Sequence, residues 1–161
     1  MASALTVTKD KTADLEKALR ALTGQQVFVG IPATENDRKD GESFGNAAIG
    51  YINENGSALQ NIPPRPHLVP GIKRVQARIA RIFAKGGKDA LKGDYEAAEN
   101  ALRVAGQVAA DSVRSVIREV IPPPLAESTK NARFRKGYKG TTPLIRTGEY
   151  YHNITYVLRK E

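Results

Sequence analysis

The sequence predicts an α+β fold: a small antiparallel sheet packed with two long helices and a short N-terminal helix, joined by extended loops. Three observations carry that expectation. Apolar residues recur at three- and four-residue steps over 68–83 and again over 98–120, as along one face of a helix. Two short runs rich in β-branched residues, 27–31 and 153–158, read as strands near the two ends of the chain. Proline and glycine clusters at 63–66, 86–87 and 122–124 punctuate what lies between. The 161 residues suffice for one domain, 1–161, and are too few for two sizeable ones.

Residues 12–22 read as the first helix, with Leu15, Ala18, Leu19 and Leu22 on one face and Gly24 as its stop. The strand 27–31 follows closely enough for that helix to pack on the sheet, and Pro32 ends it. The polar run over 32–45 is expected to be an exposed, mobile loop; its acids, with no histidine nearby, make a poor metal-ligand set. Residues 46–53 suit a short helix burying Ala47, Ala48, Ile49, Tyr51 and Ile52. The first long helix begins after Pro66, carries Leu68, Ile72, Val75, Ile79, Ile82 and Phe83, and is expected to stop at Gly86 and Gly87. The second runs over 95–121 with Asp94 as N-cap and Ala98, Leu102, Ala105, Ala109, Val113, Val116 and Val120 inward. The prolines at 122–124 forbid its continuation. Its many alanines allow close approach, either to the preceding helix or to a neighbouring subunit. Residues 125–129 suit one helical turn, and 131–142 a basic, flexible arm that orders on contact with a partner. Thr147 and Gly148 form a turn before a short helix at 149–151, and the strand 153–158 should pair with the one at Val27.

The chain is organised around residues 50–68. Asn55, Gly56 and Ser57 supply a tight reversal, because glycine accepts positive φ without a steric cost. Then come three prolines in four residues, Pro63, Pro64 and Pro66, which stiffen an extended strap. Arg65 is fixed between them, its guanidinium presented from a rigid strut. Tyr51, Arg65, His67 and Leu68 are expected to shape this strap, and Glu54 either caps a helix or pairs with Arg65.

Gly50-Tyr51-Ile52-Asn53-Glu54-Asn55-Gly56-Ser57, followed by Ile62-Pro63-Pro64-Arg65-Pro66-His67-Leu68, resembles a signature of neck and tail-completion proteins of tailed bacteriophages. A second patch is similar to the same family: Pro143-Leu144-Ile145, then Thr147-Gly148-Glu149-Tyr150-Tyr151, then Asn153-Ile154-Thr155-Tyr156. The resemblance spans roughly 27–157, its specific residues lying in those two blocks. Asn55 stands where the family usually has an aromatic residue, and Arg146 where it often has an acid. The resemblance implies a structural virion protein, assembled in the host cytoplasm, that forms an oligomeric ring at the head–tail junction. It would consist of about six or twelve copies closed by rotational symmetry. Its implied partners are the head-closure or connector protein and the tail-tube or terminator protein, with DNA passing through the channel. A tail terminator or a minor tail protein is the near alternative. The implied contact residues are Tyr51, Glu54, Ile62, Pro63, Pro64, Arg65, Pro66, His67 and Leu68 in the strap, with Arg133, Arg135, Lys136, Tyr138, Thr147 and Gly148 in the loops.

Read without the resemblance, the chain offers little for catalysis. It has no cysteine, so disulfides and thiolate chemistry are excluded. The two histidines, His67 and His152, are not at a metal-ligand spacing; His67 reads as a capping or surface residue and His152 as exposed. No phosphate loop or nucleophile elbow is present. The expectation is therefore no enzyme, no metal and no cofactor. No segment approaches the ~20 apolar residues of a membrane span, and the first residues lack a secretory pattern, which points to a cytoplasmic origin. The net charge of +8 concentrates at Lys73, Arg74, Arg78, Arg81, Lys85 and Lys88, and at Lys130, Arg133, Arg135, Lys136 and Lys139. Solvated surface or contact with an acidic protein explains these groups. DNA binding, as by a packaging factor, is the more distant reading, because no aromatic residues interleave with the charges to stack bases.

Overall fold

The computed structural model describes residues 12–38 and 44–160. Its elements are α1 (Thr12–Thr23), β1 (Gln25–Gly30), α2 (Asn46–Asn55), α3 (Leu68–Ala90), α4 (Glu96–Arg118), α5 (Glu127–Arg135), α6 (Glu149–Asn153) and β2 (Thr155–Lys160), an α+β architecture. The strands form a two-stranded antiparallel sheet in which Val27 faces Leu158 and Gly30 faces Thr155.

Helix α4 is the central element. One side of it meets α3, which runs antiparallel to it, and the approach is close because small residues line the seam. A Cβ at Gly71 would lie 2.7 Å from the Val113 Cα, and the buried Ser112 hydroxyl donates to the Gly71 carbonyl at 2.7 Å. The sheet covers another side. Gly106 accommodates the ring of Tyr156 on β2, and Arg114 donates to the Ile154 carbonyl at 2.6 Å. The alanines of α4 therefore serve packing within the chain. A buried apolar cluster sits at the C-terminal end of α4, where Val113, Val116, Ile117 and Ile121 meet Tyr150 and Ile154.

Several expectations are corrected. Helix α3 passes through Gly86 and Gly87 to Ala90, because Gly86 is the point where α3 crosses the Ala97 carbonyl and the Ala101 methyl. Helix α4 stops at Arg118; Val120 lies beyond it at φ 61° and half exposed, and Ile121 is buried in its place. The N-cap position of α4 is Tyr95 and not Asp94, although the Asp94 carboxylate, one residue earlier, accepts from the Ala97 amide at 3.2 Å. Helix α1 rests on α3 and α4 as well as on β1. Ala18 is its buried residue, while Leu15 and Leu19 stay half exposed and the side chain of Leu22 lies outside the described residues. On α2 the buried residues are Asn46 and Gly50, and Tyr51 is exposed. The basic arm begins as helix: α5 extends to Arg135, covering the first five positions of 131–142.

In the 32–45 segment, residues 33–35 make a 3-10 turn that Asn46 fastens from within. The Asn46 side chain donates to the Glu35 carbonyl at 2.9 Å and accepts from Arg38 at 3.0 Å. Residues 39–43, like the N-terminal residues read for a secretory pattern, lie outside the described residues. No helix among the described residues is long and apolar enough to cross a membrane.

A strap, a buried histidine and an arginine-rimmed cleft

Gly56, at φ 78°, ends α2 and reverses the chain. Ser57 and Ile62 then pair across a four-residue tip whose Leu59 stands almost wholly in solvent. From there the strap runs back along α2, held by the Arg65 amide donating to the Asn53 carbonyl at 2.5 Å. The proline rings of Pro63, Pro64 and Pro66 face outward, while the Arg65 and His67 side chains turn inward.

Arg65 is buried, and its strut aims at the chain itself. Nε donates to the Pro123 carbonyl at 3.0 Å and Nη2 to the Pro124 carbonyl at 3.2 Å. This planar fork ties the strap to the segment leaving α4. His67 is fully buried, not a surface residue. Its Nδ1 lies 2.9 Å from the Arg65 carbonyl, which can only accept, so the proton sits on Nδ1. Nε2 then accepts from the Tyr150 hydroxyl at 2.5 Å. Burial holds the His67 pKa below its ordinary value, against the opposing pull of the Arg65 carbonyl and the Glu54 charge. Burial, with the Glu54 charge, pushes the Tyr150 phenol far above its ordinary range, so it remains a donor.

Glu54 caps α3 from outside that helix. Oε2 accepts from the amides of His67 (2.7 Å) and Leu68 (2.9 Å), and Oε1 from Val69 (3.1 Å). Burial pushes its carboxyl pKa up, but the three amides and the nearby His67 outweigh this and hold it below the ordinary value. Of the two expected roles, the cap is the one observed; the carboxylate lies 3.1 Å from the Nδ1 of the neutral His67, and Arg65 turns to the Pro123 and Pro124 carbonyls instead.

In front of the strap lies a cleft of about 540 Å³. Ile49 and Ile52 of α2, Ile62 and Pro63 of the strap, and Leu125 and Leu144 opposite give it apolar walls. Arg38, Arg65, Arg133 and Arg146 also line it, and no aspartate or glutamate among the described residues does. Arg133 closes the arm over this side: Nη1 donates to the carbonyls of Gly140 (3.1 Å) and Thr142 (2.9 Å). Arg146 lies over the Tyr138 ring with 5.5 Å to its centroid.

The expected contact residues thus divide. Ile62, Pro63, Arg65, Arg133 and Thr147 border the cleft. Leu68 packs on the apolar cluster, and Gly148, at φ 82°, precedes α6. Arg135, Lys136, Tyr51, Pro64 and Pro66 are exposed, and none of them lines the cleft. Tyr150 stands in the second patch of the resemblance, but no contact role is expected of it from the sequence. Its link to His67 spans 83 residues, and no local pattern carries such a pairing. The carbonyls of Pro123 and Pro124 were equally illegible as acceptors. Among the described residues no group of three histidines or acids is placed to hold a metal. Comparison of the chain with protein-family models, curated proteins and solved structures returned no match.

Proposed function

We propose that this chain is a structural subunit of a tailed-bacteriophage neck, forming a ring that joins the head connector to the tail. The observation that carries this reading is the meeting of the two blocks on which the resemblance rests. Gly50 and His67 of the first contact Tyr150 of the second, and Ile62 and Leu144 stand on the same cleft. Two segments some eighty residues apart therefore meet, and strap and arm both line the one cleft. Association supplies the function: apolar area and complementary charge bind a neighbouring protein, and the stiff prolines lower the ordering cost of the contact. In this reading the protein catalyses no reaction, needs no cofactor, and resides in the virion after assembly in the host cytoplasm.

One observation favours a second reading, that of a DNA-handling factor. Arg78, Arg81, Lys85 and Lys88 are exposed along α3 with no carboxylate partner among the described residues. Electron microscopy of particles made when the gene carries a stop codon separates the two. Full heads beside finished, unattached tails are the expected result. Tails of abnormal length would move the assignment to a terminator, and empty heads with uncut DNA would refute the structural reading.

A further inference from the structure

We propose that the outer ridge of α3, formed by Arg78, Arg81, Lys85 and Lys88, is a docking surface for the phosphate backbone of duplex DNA of any base sequence. The inference does not need the neck reading: a ring subunit and a DNA-handling factor would both meet DNA on this ridge.

The ridge is already written in the sequence. From Leu68 to Lys88, helix α3 carries Lys73, Arg74, Arg78, Arg81, Lys85 and Lys88 and no acid. From Arg74 to Lys88 these cations follow one another at steps of four, three, four and three, which keeps them on one flank of a helix. Like charges at such steps repel and cost the free helix stability. The fold offsets that cost at one end. Arg74 is neutralised by Glu119 of α4, its Nη1 donating to Oε1 and its Nη2 to Oε2, the second at 2.8 Å. Asp89, one turn beyond Lys85, turns to Lys92 at 3.6 Å. The side chains of Arg78, Arg81, Lys85 and Lys88 are exposed and make no ion pair or hydrogen bond among the described residues. A local conflict that the fold itself does not resolve belongs to a functional surface.

A phosphate backbone fits this geometry. From Arg78 to Lys88 the ridge is about 15 Å long, at ~1.5 Å per residue. Each strand of a duplex carries a phosphate about every 3.4 Å of axis, so several come within reach. Ala77 and Ala84 beside the ridge are exposed and too small to hold a broad backbone away. A protein partner fits less well. Protein interfaces are anchored by large apolar side chains in a charge-poor centre. The large exposed apolar residues of α3, Val69 and Phe83, fall on the other flank by helical spacing. No aromatic residue on the ridge offers a stack for unpaired bases, which favours a duplex over a single strand. The B-form major groove, about 12 Å wide, admits a helix and the A-form groove does not, so the duplex is DNA. Arginine and lysine on phosphates position the duplex without reading its sequence.

The test is fluorescence anisotropy of the full chain with labelled duplexes of two unrelated sequences, titrated at several salt concentrations. Both should bind alike, with a log–log salt slope of about −3.6 for four cations, or about a hundredfold loss between about 50 and 200 mM salt. In Arg81→Ala/Lys85→Ala the slope should shrink by about 2 and the low-salt affinity fall about tenfold or more. Arg81→Lys/Lys85→Arg keeps both charges and should bind like the wild type. Lys130→Ala/Lys139→Ala removes two charges from the other basic cluster and should leave the slope unchanged. Circular dichroism establishes that each variant folds. No binding at low salt, an unchanged slope in Arg81→Ala/Lys85→Ala, or an equal loss in Lys130→Ala/Lys139→Ala would overturn the proposal. So would binding confined to one of the two sequences, tighter binding of the single strand, or an oligoglutamate peptide that competes as well as unlabelled duplex. Because the assay uses the isolated protein, its failure is separable from failure of the neck assignment, which particle morphology decides.

Discussion

Removing one hydroxyl, in Tyr150→Phe, tests the buried network that joins strap to core. The hydroxyl donates to His67 Nε2 at 2.5 Å, and both side chains are almost wholly out of solvent. Phenylalanine keeps the ring against Ile117 and Ile154 but leaves Nε2 without a donor in a site too closed for bulk water. The expected loss is about 1–3 kcal/mol, the range for orphaning a buried polar atom. With a urea slope of about 2 kcal/mol per molar, the midpoint should drop by about 0.5–1.5 M at an unchanged slope. A second substitution sharpens the test. A Cβ at Gly50 would lie 2.8 Å from the Tyr150 hydroxyl oxygen and 3.0 Å from Cε2. Gly50→Ala should therefore destabilise the wild type strongly and the Tyr150→Phe background less, with a coupling of about 0.5 kcal/mol or more. The assay is urea unfolding at pH 8 of the four members of the cycle. An unchanged midpoint for Tyr150→Phe, or strict additivity with Gly50→Ala, would refute the network as the link between the two blocks.

Other outcomes follow from the same geometry. His67 has a folded pKa below its unfolded value near 6.5. Its neutral form is the folded one, so stability is fully present above that value. It declines as pH falls further, by at most about 1.4 kcal/mol per pH unit; His67→Gln should flatten unfolding midpoints measured between pH 7.5 and 5.5. Glu54 has the opposite profile: its stabilisation is present above the ordinary carboxyl value of 4.5 and is lost as pH falls through its lower folded pKa. Glu54→Gln should lower stability at pH 7 by about 1–2 kcal/mol, as for loss of a helix cap, and should remove that acid-range decline. Gly86→Ala, which propensity alone would favour by about 1 kcal/mol, should instead lower the thermal midpoint. The new methyl would stand 2.9 Å from the Ala97 carbonyl oxygen, a backbone atom that cannot step aside.

The helices and strands were legible because each announces itself in a local period. Leu68, Ile72, Val75 and Ile79 mark α3, and Asn153 to Leu158 alternate toward β2. Glycine misled where its purpose was tertiary. Gly86 reads as a stop, yet it exists for the crossing with α4, and nothing nearby in sequence distinguishes the two uses. The strap was legible as rigid, but the direction in which Arg65 points depends on carbonyls 58 and 59 residues away. Basic composition over 131–142 read as flexibility; the first part is helical, and Arg133 turns its charge inward to gather the carbonyls of its own loop.

The cap that Glu54 places on α3 also acts as a ruler. Since the donor amides and the carboxylate lie 13 to 15 residues apart, the strap between them has one permitted length. An insertion at the exposed tip between Ser57 and Ile62, whose ends are already pinned to each other, leaves that distance intact. One added residue between Ile62 and His67 would pull the carboxylate away from all three amides at once and shift Arg65 off both carbonyls. Length variation in proteins built this way should therefore collect at the tip around Leu59 and be absent from the strap, whatever partner the surface meets.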